Sequence, residues 1–281
     1  MRYYHVYTKG LVSDIIFRDE EDYIVGMNLV AIAHFKTNVK ILAFVLMSNH
    51  VHFVIYGNRT TVMQFINIYK SLVSIYINHR YQEHSILKRV ETSCDEIEMT
   101  GDALKRIIAY VLDNPVKAGS ESLALYYLWG SASCYFSANM PIEGRPLSSY
   151  GVRELRRMLH SNVVLPSDYI MTSRGYISPS SYVDFRMVEC IFGKARSFEY
   201  FLSTSASSRQ MRKDVLMFSD TLIKRAFVEI LKTKYNCTLG ELDSDMRRNL
   251  LNDLRKHFNT SAKQLSRVTG LPLKDVLEVM G

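Results

Sequence analysis

The feature that most constrains this chain is the run Leu46-Met47-Ser48-Asn49-His50-Val51-His52-Phe53-Val54-Ile55. The apolar segments 41–46 and 53–55 are rich in branched and aromatic residues, which favour strands. Ser48-Asn49 supplies the turn between them. Alternate residues on a strand share a face, so His50 and His52 point one way and Val51 the other. Neighbouring imidazoles can hold one divalent cation or grip one phosphate. They can equally be two polar residues on a solvated face, so the pair needs a second group of residues to become a site.

The rest of the first half frames the pair. Residues 3–9 alternate as a first strand, ended by Gly10. Asp19-Glu20-Glu21-Asp22 places acids where a helix N-terminus favours them, and that helix runs to about His34. Strands over 39–47 and 50–56 follow. Thr60 or Thr61 caps a long helix to about Tyr81, with Phe65, Ile68, Tyr69, Leu72, Ile75 and Tyr76 as its apolar stripe. A fourth strand falls around 87–91. Gly101-Asp102 opens a helix over 103–113, which Pro115 stops near Asn114.

This order is the split βαβ arrangement. It makes the first half an α+β, ferredoxin-like antiparallel sheet with helices on one face and the histidine hairpin at its centre. The other face is then bare and could accept a ligand. Tyr110 and Asn114, four residues apart on the closing helix, share a face. Among 18 tyrosines, a core aromatic is the ordinary role for Tyr110.

The 281 residues, 47% hydrophobic and 22% charged, suit a protein able to bury a real core. No apolar run approaches the ~20 residues that span a membrane. The first seven residues read as a strand rather than a signal peptide. Cys94, Cys134, Cys190 and Cys237 are scattered and read as free thiols of a reducing cytosol, so the expected location is cytoplasmic. Residues 1–140 carry 13 basic and 13 acidic side chains, against 22 and 15 in residues 141–281. The whole excess of +7 therefore lies in the second half, which is a candidate for contacting polyanions.

Residues 139–149, with Pro141, Gly144 and Pro146, read as a linker. Helices follow over 152–160, 182–192 and 197–202, and residues 203–208 resemble a hinge. Helical periodicity returns at 221–234 and 243–257. Residues 261–280 resemble a helix-turn-helix, in which small Ser266 permits close approach, Gly270 makes the turn and Val276 packs the second helix. Asp275 and Glu278 make that second helix poor at facing phosphates, so a purely structural hairpin is a serious rival. The expected domains are 1–140, a helical extension with linker at 141–210, and a helical, helix-turn-helix-like domain at 211–281.

The hairpin, together with Tyr110-Val-Leu-Asp-Asn-Pro-Val-Lys-Ala-Gly119, resembles the single-tyrosine HUH transposases. The nearest branch is the REP-associated tyrosine transposases and their insertion-sequence relatives. Tyr4-His5-Val6-Tyr7-Thr8-Lys9-Gly10 resembles their opening segment, and Trp129-Gly130-Ser131 sits where their tryptophan-serine segment belongs. The resemblance implies a metal-dependent DNA nuclease and strand transferase acting on single-stranded or hairpin DNA through a 5′-phosphotyrosine intermediate. Tyr110 would be the nucleophile, and His50, His52 and Asn114 the ligands of Mg²⁺ or Mn²⁺. Lys9 and Lys117 stand for family arginines that contact DNA. Lys263, Arg267 and Lys274 are the DNA-contact candidates of the C-terminal stretch. The resemblance leaves open whether Tyr110 serves its own histidines or those of a partner in a homodimer.

Ser48 replaces the usual proline before Asn-His, and the segment before the tyrosine helix is acidic (Glu91, Asp95, Glu96, Glu98) where the family's is basic. Two rival readings use the same fold: a non-catalytic nucleic-acid-binding regulator and a replication-initiator-type nuclease.

Overall fold

The computed structural model describes residues 1–9, 15–82, 87, 90–137, 143–205 and 218–280. Gly10, the linker residues 139–142 and the hinge residues 206–208 lie outside them, as does the expected domain boundary at 210. Four strands, β1 (Arg2–Thr8), β2 (Lys40–Leu46), β3 (Val51–Gly57) and β4 (Thr92–Glu96), form a sheet in the order β2-β3-β1-β4. Every pairing is antiparallel. This is the ferredoxin-like α+β arrangement expected from the sequence.

The helices start and stop where local chemistry sets them. Helix α1 (Glu20–Thr37) begins at Asp19, whose carboxylate accepts the Asp22 N–H at 3.1 Å. Helix α2 (Arg59–Tyr81) is capped by Asn58, not by Thr60 or Thr61. Asn58 Oδ1 accepts both the N–H and the hydroxyl of Thr61 at 2.8 Å, because a start at Arg59 makes Thr61 the third helical residue. The buried stripe of α2 runs through Val62, Phe65, Ile66, Tyr69, Val73 and Ile77, while Ile75, expected inside, is 63% exposed. Arg80 near the end of α2 pairs with Asp19, Glu21 and Asp22 at the start of α1.

Side-chain alternation sorts the layers. Phe53 meets Phe65 and Tyr69 of α2 at ring separations of 5.0 and 5.4 Å, so the odd residues of β3 face the layer that α1 and α2 form together. His52 faces the opposite way. That face is not bare: helix α3 (Ala103–Lys117) lies across it, burying Leu104, Ile108, Val111 and Leu112. Helix α3 also continues past Asn114, with Pro115 inside it. Pro115 cannot donate to the Val111 carbonyl, but the Asn114 side-chain amide reaches the Tyr110 and Val111 carbonyls at 2.9 and 3.4 Å. That substitute donor lets the helix run one further turn, to its close before Gly119 at φ 66°.

The fourth strand begins at Thr92, after the expected 87–91. Leu87 and Val90 are buried just before it, and Cys94 is the one fully inward side chain of the strand. An edge strand with one buried residue leaves little apolar periodicity to read. Acids in and just before it meet cations in and just after β1: Glu96 pairs with Arg2, and Glu91 with Lys9.

The opposite edge, β2, is sealed by chain that follows α3. The Leu46 N–H donates to Trp129 O at 2.8 Å, and Ser131 exchanges bonds with both the N–H and carbonyl of Phe44 at 3.0 Å. A Cβ on Gly130 would stand 2.9 Å from the Phe44 carbonyl oxygen, so only glycine lets this segment lie so close. Further along, the Asp184 N–H donates to Ile41 O at 2.8 Å. Such cover removes an edge that would otherwise template association.

Helices α4 (Val152–Leu159), α5 (Phe185–Phe192) and α6 (Ala195–Ser205) contribute Leu159, Val188, Phe192 and Phe198 to the same core as the sheet. A two-residue pairing of Arg145–Pro146 with Ile170–Met171 lies within the stretch read as linker and its sequel. Residues 223–276 build a second apolar core among α7 (Asp220–Ile230), α8 (Ser244–Phe258), α9 (Ala262–Thr269) and α10 (Leu273–Met280). Gly270, at φ 76°, turns α9 into α10, Ser266 Oγ donates to Leu271 O at 2.7 Å, and Val276 is fully buried. The helix-turn-helix-like ending thus folds as its sequence suggests. No helix among the described residues is long and apolar enough to cross a membrane.

Asn28 of α1 is fully buried. It donates to Met158 O at 3.3 Å and Gly175 O at 3.1 Å, and accepts from Ile177 N–H at 2.8 Å. Asn28→Leu leaves three backbone groups unpaired in an apolar setting, and should cost about 2–4 kcal/mol. A lower urea midpoint, with faster amide exchange at Ile177, is the expected result.

Candidate active site

The β1–β3 register assembles the site. Tyr7 stands opposite His52 and His5 opposite Val54, so His5, Tyr7 and His52 share the face that α3 covers. His50 precedes β3 by one residue rather than lying on it, yet its ring stays beside that of His52, perpendicular at 4.9 Å. Tyr110 presents its ring edge-on to His52 at 5.8 Å and to His5 at 5.9 Å. Asn114 lies one turn further along α3. The structure therefore brings His50, His52 and Tyr110 together within one chain, with Asn114 on the same helix as Tyr110. They are buried, with Tyr110 8% exposed and His50 0%.

Hydrogen bonding fixes which atoms face inward. The Asn114 amide nitrogen is directed at two helix carbonyls, which can only accept, so its carbonyl oxygen is the end turned away from them. His50 Nδ1 lies 2.7 Å from Asn49 Oδ1. An amide oxygen only accepts, so Nδ1 carries the proton and Nε2 the lone pair. A histidine that gives its second N–H to a carbonyl is the usual state of a metal ligand. Two imidazoles and one amide oxygen suit a divalent cation, so the donor set fits the group that the resemblance implies. Among the described residues no cluster of three or more His, Cys, Asp or Glu offers a rival cage.

Two residues here were not read as site residues from the sequence. His5 Nε2 sits 3.0 Å from His52 Nδ1, and Tyr7 lies over both rings at 4.7 and 5.4 Å. Their alternation on β1 was visible, but which strand they would face was not. The basic candidates divide. Lys117 Nζ lies 4.5 Å from the centre of the Tyr110 ring and donates to Ser205 Oγ of α6 at 2.9 Å, and burial lowers its pKa. Lys9 is paired with Glu91. In the second core's helices, Arg267 is held by Asp220 at 2.9 Å, Lys274 lies exposed beside Glu278 at 3.9 Å, and Lys263 is exposed.

Residues 16–92 match the model of the IS200-like transposases. Over that stretch the chain is similar to the IS200-like transposases. The family resemblance read in the sequence is borne out there, and the tyrosine helix lies beyond the matched residues. No curated protein matches the chain. Among solved structures, one described as a REP-associated tyrosine transposase bound to a REP hairpin shares 11% identity. It covers 61% of this chain and 93% of its own, with a TM-score of 0.35, too loose a likeness to bear on the site.

Asp113, beside Tyr110 on α3, gives the fold a pH signature. Burial pushes its carboxyl from 3.8 up to about 6, against the opposing pull of Lys117. The folded state then binds the proton more tightly than the unfolded one, so this residue's contribution to stability is present below pH 4 and lost as pH rises to 6. Two units correspond to about 3 kcal/mol. Asp113→Asn should remove that loss, and denaturation at pH 4 and 7 should show the variant gaining on wild type at the higher pH.

Proposed function

We propose that this chain is a DNA nuclease and strand transferase that cuts single-stranded or hairpin DNA by joining Tyr110 to the 5′ side of the break. The observation that carries this reading is the edge-on approach of Tyr110 to His52 at 5.8 Å, with Asn114 one turn away on the same helix. A divalent cation, Mg²⁺ or Mn²⁺, held by His50, His52 and Asn114, would supply Lewis acidity toward the scissile phosphate. The family match over residues 16–92 supports transposase chemistry.

The chain's own groups suit the reaction. The Tyr110 oxygen gives up its phenolic proton and forms a bond to phosphorus as the bond to the 3′ oxygen breaks, and that oxygen takes up a proton to leave as a 3′-hydroxyl. In the reverse direction a 3′-hydroxyl attacks and the tyrosine leaves. A phenol of pKa ~10 departs far more readily than an alkoxide, so the linkage conserves the bond energy without ATP. The Lys117 ammonium over the Tyr110 ring favours the electron-rich state of that ring as it leaves. A ring so buried must be uncovered before a phosphodiester can reach it. Helix α3, whose Lys117 is tied to Ser205, is the element that has to shift.

Protein incubated with Mn²⁺ and end-labelled hairpin DNA should yield a labelled covalent adduct. Tyr110→Phe should abolish it, and His52→Ala should lower it on the order of 100-fold. An adduct that survives Tyr110→Phe overturns the assignment.

The C-terminal core, with exposed Lys263, is proposed as a grip on the DNA backbone. Removing residues 218–281 leaves the sheet's core whole, whereas a cut at 141 would strip Leu159, Val188 and Phe198 from it. The shorter deletion should flatten the slope of log affinity against log salt. Lys263→Glu alone should reduce it by about 0.9 if one duplex phosphate contact is lost. Arg267→Ala should act mainly on stability, because Asp220 already holds that side chain.

A further inference from the structure

We infer that His5 is a positioning residue that fixes the tautomer and the ring plane of His52, turning His52 Nε2 toward the site that His50 and Tyr110 share. The inference rests on reading His50 and His52 as ligands of a divalent cation.

The contact has the geometry of an orienting bond. His5 Nε2 and His52 Nδ1 are 3.0 Å apart, the ring planes differ by 13°, and the centroids stand 5.2 Å apart. That centroid separation is too wide for face-to-face stacking. It is what two nearly coplanar rings give when they meet nitrogen to nitrogen, so the bond holds the plane of His52 as well as its position. The Tyr7 ring, tilted 28° from His5 and 23° from His52, covers both rings and resists their rotation.

A nitrogen–nitrogen bond needs one donor and one acceptor. If His5 donated, His52 would carry its own proton on Nε2, and that nitrogen could not ligate a cation. If His52 donates from Nδ1, its Nε2 bears the lone pair. The neighbouring histidine has that state already, since the acceptor-only Asn49 Oδ1 sets the proton of His50 on Nδ1. Two perpendicular rings 4.9 Å apart then carry the same kind of atom, a nitrogen with its lone pair at Nε2. His5 does for His52 what Asn49 does for His50, from a different strand. It touches no reacting atom in this scheme and acts through His52.

The test uses the full chain and Mn²⁺ as probe. Long-range ¹⁵N spectra of the metal-free wild type should show His52 protonated on Nδ1. Protonation on Nε2 overturns the proposal without need of any variant. By calorimetry, His5→Phe should weaken Mn²⁺ binding by about 10–100-fold, the usual effect of losing a ligand's hydrogen-bond partner. His5→Gln places an acceptor oxygen near the lost Nε2, and should restore affinity to within about threefold of wild type. A purely structural role for His5 would not be rescued in this way. If His5→Phe binds Mn²⁺ as wild type does while His52→Ala does not bind it, the positioning role is wrong and the metal reading stands. If His52→Ala binds Mn²⁺ unchanged, the metal reading fails and this inference fails with it.

Discussion

The antiparallel register of β1 against β3 is the constraint on which the rest of the candidate site depends. Because Tyr7 pairs with His52, the two-residue period of both strands sends His5, Tyr7 and His52 to one face and Val6 and Phe53 to the other. A slip by one residue would send the imidazoles into the layer between the sheet and α1–α2, and put Phe53 against Tyr110. That apolar layer fixes the register energetically. Phe44, Phe53, Phe65 and Tyr69 are fully buried, and at roughly 1.5–3 kcal/mol per large side chain a slipped sheet would lose more than any polar contact could return.

Helix α3 converts the sheet face into a site, and one residue allows it to do so. Asn114 supplies the hydrogen bonds that Pro115 cannot, which carries the helix on to Lys117. The same commitment of its amide nitrogen turns its carbonyl oxygen the other way. A structural repair and a proposed ligand role thus use opposite ends of one side chain. Lys117, on the turn gained by that repair, reaches back over Tyr110 and out to α6. The helix bearing the proposed nucleophile is therefore tied both to the sheet and to the second half of the chain.

The chain after α3 does two separate things. Residues 124–205 complete the sheet by sealing the β2 edge through Trp129, Gly130, Ser131 and Asp184, and by docking on buried Asn28. Residues 218–280 form a core of their own. Residues 143–205 carry 8 basic and 6 acidic side chains and residues 218–280 carry 11 and 8, so the positive charge is not confined to the compact helical unit. Glu96 of β4 and Glu91 just before it pair with Arg2 of β1 and Lys9 just after it. These exposed pairs contribute little stability, but they remove two cations from those free to meet phosphate.

The sequence by itself determined the order of the elements, the hairpin and the sharing of a face by Tyr110 and Asn114. Each rests on local periodicity or turn chemistry, which a short stretch carries within itself. It also carried the motifs that matched a family over residues 16–92. Only the tertiary structure decided that α3 covers the histidine face, that β4 begins at Thr92, and that 129–131 lie along β2. An edge strand with one buried residue has almost no period to read, and a segment lying on an edge is defined by its partner's hydrogen bonds. Only the fold, too, placed His5 against His52. Their contact spans 47 residues and exists because two strands far apart in sequence pair in one register, which no single stretch of the chain encodes.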